Sequence, residues 1–121
     1  MAVNSREKGR RGEVEFAKSL RELGFADARR GQQYSGANGD ADVVGVPGVH
    51  WEIKRVERGL NLVDALKQAE RDARPGELPH VAHRRNREPW QVTMSLETWL
   101  ELYRKAGLNG DLQKCPNEFL D

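Results

Sequence analysis

The stretch that most constrains this chain is two valine-rich runs, Asp40–Val46 and Val49–Val56, on either side of Pro47-Gly48. Such a pair of runs around a short turn predicts a β-hairpin. Val49-His-Trp-Glu-Ile-Lys-Arg-Val56 is its second strand. Side chains alternate along a strand, so Val49, Trp51 and Ile53 share the natural core face. Glu52 and Lys54 share the other, roughly 7 Å apart at their backbones. The turn carries Asp42, on the first strand, back toward Glu52. Any fold of this chain must accommodate that hairpin and its three charged groups.

The remaining elements follow from apolar spacing and breakers. Ser5 to about Leu23 predicts a helix with Phe16, Ala17, Leu20 and Leu23 as its apolar stripe and Gly24 as its stop. Phe25–Arg30 predicts a short strand, and Gly31–Gly39 a loop rich in turn formers. Asn61–Ala73 predicts a helix with Leu62, Ala65, Leu66 and Ala69 on one face, and Arg74–Pro79 a loop. His80–Arg84 and Trp90–Met94 predict two strands joined by a basic turn. Ser95 caps a last helix carrying Leu96, Trp99, Leu100 and Tyr103, which ends near Gly107. Residues 108–121 are expected to be an arm or tail. The order α, β, β, β, α, β, β, α implies an α/β domain, a mixed central sheet flanked by helices. With 121 residues the chain makes a single domain.

Composition excludes some classes. No apolar run is long enough to span a membrane. The start, MAVNSREKGRRGE, lacks the apolar core of a secretory signal. One cysteine, Cys115, rules out an internal disulfide and a cysteine-based zinc site. These features predict a cytoplasmic protein. The net charge of +1 does not by itself point to nucleic acid. Its distribution says more: basic clusters occur at Arg6, Lys8, Arg10 and Arg11, at Arg29 and Arg30, at Lys54, Arg55 and Arg58, and at Arg84, Arg85 and Arg87. Arginine forks suit phosphate, although solvated charge clusters have the same composition. Carboxylates that hold a metal would offset phosphate-binding bases and leave the total near neutral.

An acid-x-lysine tripeptide such as Glu52-Ile53-Lys54 arises by chance roughly once in a chain of this composition, so it needs context. Asp42 supplies it. Two converging carboxylates suit a hard cation, Mg²⁺ with Mn²⁺ as substitute. Asp40, on the same strand face, is an alternative ligand. Lys54 beside them can orient water or stabilise charge on a phosphate. The bland alternative is a solvated hairpin face with an incidental ion pair. Glu13 precedes Phe16 and Ala17 by three and four residues, so it continues the apolar stripe as an acid that needs a partner. The alternative is a helix that starts later and leaves Glu13 in solvent. Tyr34, in a glycine-rich loop, can stack on or wedge into DNA. Arg85 and Arg87 are candidate phosphate contacts. His83 is a lone histidine, more often structural than a ligand. Trp51, Trp90 and Trp99 read as core or interface residues.

Asp42 followed by Glu52-Ile53-Lys54 resembles the signature of the PD-(D/E)XK nuclease superfamily. Lys8-Gly9-Arg-Arg-Gly-Glu13-Val-Glu-Phe16 resembles the first helix of its archaeal-type Holliday junction resolvases. So do Gly24-Phe25, the arginine-bearing strand that follows and the Ser-Gly loop. The resemblance covers about residues 6–73. It departs from the family pattern at Ala41, where a proline commonly precedes the aspartate. It implies a restriction-endonuclease-like core and a Mg²⁺-dependent endodeoxyribonuclease with Asp42, Glu52 and Glu13 at the metal. Lys54 and Gln68, on the following helix, complete the catalytic set. Ser35 falls in the family's serine loop. The implied DNA-binding residues are Lys8, Arg10, Arg11, Arg30, Tyr34, Ser35, Arg55, Arg85 and Arg87. The implied substrate is a four-way junction, resolved by a homodimer because two strands are cut symmetrically. Flap, nicked or duplex DNA, and a non-catalytic DNA-binding module, are the alternatives.

Overall fold

The computed structural model describes residues 5–32 and 41–108. Tyr34, Ser35, Asp40 and nearly all of the proposed tail lie outside the described residues. The elements are α1 (Ser5–Glu22), β1 (Arg29–Arg30), β2 (Val43–Val44), β3 (Val49–Arg55), α2 (Leu62–Asp72), β4 (Leu78–Arg84), β5 (Gln91–Thr93) and α3 (Leu96–Ala106). Their order is the one the sequence predicts. The sheet runs β1-β2-β3-β4-β5 and is mixed, since every pair is antiparallel except β3–β4. That parallel pair is joined through α2, as a parallel connection requires.

Alternation along β3 sets the two faces. Trp51 and Ile53 meet α1: the Phe16 and Trp51 rings pack edge to face with centroids 4.8 Å apart, and Ala17, Leu20, Val43 and Ala82 complete that core. Large side chains buried in this way each contribute about 1.5–3 kcal/mol. On the opposite face, Ala65 and Ala69 of α2 lie against Val81. Val81 is the register partner of Glu52, so Glu52 faces α2. No helix among the described residues is long and apolar enough to cross a membrane.

The structure differs from the sequence expectations in four places. The first two strands are shorter than Phe25–Arg30 and Asp40–Val46. Ala28 N–H bonds to Phe25 O in a turn that uses up the start of the first run. Leu23 is 77% exposed rather than part of the stripe, because α1 ends at Glu22 and the Leu23 N–H closes onto Ser19 and Leu20 carbonyls. β4 begins at Leu78, inside the predicted loop. Leu78 N–H donates to Gly48 O, and Pro79 sits ahead of the Val81–His83 stretch paired with β5, where its missing N–H breaks no rung with that strand. On α3 the buried residue is Thr98, whereas Leu96 and Trp99 are exposed. Trp99 stacks on Tyr103 instead of entering the core.

Two glycines are dictated by close approach. Gly45 has φ +102°, and a Cβ there would lie 2.2 Å from the Asp27 carbonyl oxygen. Gly12 packs under Arg55, whose Cγ would lie 2.7 Å from an added Cβ.

Candidate active site

The β2–β3 pairing builds the site. Val43 is opposite Trp51, so Asp42 is level with Glu52 on the α2 side. The Ile53 N–H donates to Asp42 Oδ2 at 2.8 Å. Asp42 N–H in turn donates to Trp51 O. Lys54, two residues past Glu52, donates through Nζ to Gln68 Oε1 at 3.3 Å. The β3–α2 connection thus brings Gln68 to the lysine, from the helix face that also carries Ala65. A cavity of about 470 Å³ is lined by Lys8, Glu13, Asp42, Glu52, Lys54, Arg55 and Gln68, among others. All five residues proposed as catalytic therefore meet at one opening.

Glu52 is 4% exposed and Asp42 is half-buried. Burial pushes the Asp42 carboxyl up, and the Glu52 charge pushes it further. The Ile53 N–H opposes the shift, while Glu13 and a hydrogen bond to Glu52 add to it. Asp42 is pushed up to about 7. Two carboxylates in such contact share a proton unless a cation takes its place.

Glu13, the third expected metal ligand, comes from α1. α1 starts at Ser5, so Glu13 lies well inside the helix, and its side chain is 14% exposed. Its partner is a guanidinium: Arg30 Nε donates to Glu13 Oε1 at 2.6 Å. It still faces the cavity and raises Asp42 by its charge. Among the described residues no three His, Cys, Asp or Glu side chains converge as a chelating group. The donor set that fits a cation is the Asp42–Glu52 pair. Its all-oxygen chemistry suits Mg²⁺, which is commonly held by one or two carboxylates and otherwise by water and substrate phosphate.

The other basic candidates separate into bound and open groups. Arg55 is largely buried and bonds to Glu57, to Asn86 Oδ1 at 2.7 Å and to the Arg84 carbonyl. Glu15 approaches both Arg55 and Arg84. Lys8 pairs with Glu57 at 3.3 Å, and the Asn86 N–H also donates to Glu57. This lattice of charges joins α1, the end of β3 and the β4–β5 turn. Arg10 and Arg11 lie on the exposed side of α1 near Glu7. Arg85 lines a second cavity of about 360 Å³ with His83, Arg84 and Gln91. Arg87 is exposed in the adjoining turn at φ 65°. His83 bonds to Thr93 Oγ1 at 2.8 Å, a link between β4 and β5.

One residue at the site went unremarked in the sequence. His50 is 3% exposed, and its Nε2 lies 2.9 Å from Glu52 Oε1. Burial opposes charging of the ring. The Glu52 hydrogen bond and the charges of Glu52, Glu77 and Asp72 outweigh it, so His50 is raised above the ordinary histidine range. Alternation alone could have flagged it, since His50, Glu52 and Lys54 share one strand face. No protein-family model, curated protein or solved structure matches this chain.

Proposed function

We propose that the chain is a Mg²⁺-dependent, structure-specific endodeoxyribonuclease that cuts four-way DNA junctions as a homodimer, on a restriction-endonuclease-like core. The observation that carries this reading is the meeting of Asp42, Glu52, Lys54 and Gln68 in one open cavity, with Glu13 at its rim. An antiparallel hairpin followed by a parallel β–α–β crossover supports the finer fold, because it is the arrangement that delivers those residues together. The specific junction substrate rests on the resemblance of α1 to resolvases.

The residues divide the work. Asp42 and Glu52 supply paired negative charge and oxygen donors for a divalent cation. A cation there supplies Lewis acidity toward the scissile phosphate. Asp42 is held in place by the Ile53 N–H. Lys54 extends an ammonium into the same cavity, where it stabilises charge developing on the phosphate or orients the attacking water. Gln68 accepts a hydrogen bond from Lys54 Nζ and steadies it. Arg85 and Arg87, beyond the ends of the parallel strands, supply positive charge along the path of a DNA backbone. A two-fold dimer presents two such sites to the two strands of a junction.

The test is cleavage of a panel comprising a four-way junction, a flap, a nicked duplex and a linear duplex, each with Mg²⁺ and with chelator. The junction should be cut fastest, and only with metal. Asp42→Asn and Glu52→Gln should abolish cutting while junction binding persists. Equal cutting of linear duplex would overturn the junction assignment. Binding without cutting at any Mg²⁺ or Mn²⁺ concentration would instead make the chain a DNA-binding module.

A further inference from the structure

We propose that His50 is a positioning residue that fixes the Glu52 carboxylate for cation binding, a role that rests on the reading of Asp42 and Glu52 as the cation's ligands. The two side chains are the most buried polar groups on their strand, at 3% and 4% exposure. They are consecutive on one face of β3 and bond through Nε2 and Oε1 at 2.9 Å. A glutamate's last torsion is broad, with no strong staggered minimum of its own. Something outside the side chain must therefore choose its angle. The Ile53 N–H does this for Asp42. His50 does it for Glu52.

A second carboxylate stands behind the ring. Its Nδ1 lies 3.9 Å from Glu77 Oε1, and Glu77 is fixed by accepting the Arg74 N–H at 2.8 Å. The Arg74–Glu77 turn leads directly into β4, and His50 is the register partner of Pro79 there. The result is a line of side chains with His50 and Glu52 buried at its centre, the half-buried Asp42 at the cavity end and the part-exposed Glu77 at the other. With its proton on Nε2, the ring donates to Glu52 Oε1. A hydrogen bond of this kind to a metal-ligating carboxylate is what keeps its free lone pairs aimed at the cation.

A merely structural histidine would change stability and leave cation affinity alone in whatever protein remains folded. Mn²⁺ binding to the full chain, followed by titration calorimetry and by the loss of free Mn²⁺ signal in electron paramagnetic resonance, separates the two. His50→Gln keeps a donor near the Nε2 position and should bind Mn²⁺ within a few-fold of the wild type. His50→Leu should bind it about 10–100-fold more weakly. Equal affinity of a folded His50→Leu chain would overturn the proposal. A wild-type chain that binds no Mn²⁺ would overturn the reading of the ligands themselves, a different result. A second measurement needs no variant of His50. In the wild type, Mg²⁺ titration should move the His50 ring nitrogen resonances saturably, and Asp42→Asn should abolish that movement. Resonances of Lys54 or Gln68 that respond while His50 stays still would also overturn it.

Discussion

The Ile53 backbone N–H is bonded to Asp42 Oδ2 at 2.8 Å, so a carboxylate at the entry to the short strand β2 is seated on the backbone of β3 between Glu52 and Lys54. Asp42 thus gains a fixed position even though β2 itself spans only Val43–Val44. Its carboxyl group is also crowded by Glu52, and this crowding is where the site is most easily tested.

The Asp42 carboxyl should cost the metal-free protein stability as pH rises from about 4 to about 7. Asp42 goes from its ordinary 3.8 to about 7 on folding, so the folded chain retains a proton that the unfolded chain releases across that window. The favourable contribution is complete below the unfolded value and is lost as pH passes the folded one. Its full size is on the order of a few kcal/mol. His50, also raised, acts in the same direction, but only from its ordinary 6.5 upward. His80 and His83 are lowered, chiefly by burial, and act oppositely on the acid side. Chemical denaturation of wild type and Asp42→Asn at several pH values isolates Asp42. The variant should lose less stability over the window.

Divalent cations should counter that loss. At pH 8 the Asp42–Glu52 pair is short of its proton, and a bound cation replaces it. Mg²⁺ or Mn²⁺ at a hundred times its dissociation constant should stabilise the fold by about 2.7 kcal/mol. Thermal melts with and without metal check this. Glu52→Gln should abolish the metal-dependent rise in melting temperature.

Lys54→Ala should slow cleavage by about 10²–10³-fold, the usual loss when a charge-stabilising donor is removed. Mn²⁺ affinity should hold or improve. Gln68→Ala should cost less, because Gln68 acts through the 3.3 Å bond to Lys54 Nζ. Single-turnover rates beside calorimetric affinities distinguish the two.

Arg55→Ala should destabilise the fold by about 2 kcal/mol, since a largely buried guanidinium with charged and carbonyl partners would be removed. Arg87→Ala, in an exposed turn, should fall within about 0.5 kcal/mol of the wild type yet weaken junction binding and flatten its salt dependence. Denaturant midpoints and salt titrations of binding test the pair.

Much of this architecture was legible in the residues. Element order, the cap at Ser95, the stop at Gly107 and the faces of β3 all follow from spacing and local chemistry. Short-range signals of that kind do not depend on what packs where. Three features depend on tertiary contacts and stayed hidden. The Arg30 guanidinium on Glu13 requires β1 to lie beside α1. Alternation puts His50 and Glu52 on one face of β3, but their burial as a bonded pair follows only once α2 covers that face. The ends of β1 and β2 are set by turns and by the limited length of the β1–β2 ladder, Arg29↔Val44 and Arg30↔Val43, not by the valine content of the runs.

Gly12 precedes Glu13 and lies directly beneath the aliphatic part of Arg55. Arg55 cannot easily yield, since its head is tied to Glu57, Asn86 and Arg84. The hydrogen atom at Gly12 therefore acts as a spacer: it sets how near the helix acid stands to the hairpin acids. A single added methyl would work as a wedge, prying α1 away from β3 and drawing Glu13 back from the cavity. The reach of the first-helix carboxylate is thus gauged by a residue that has no side chain at all.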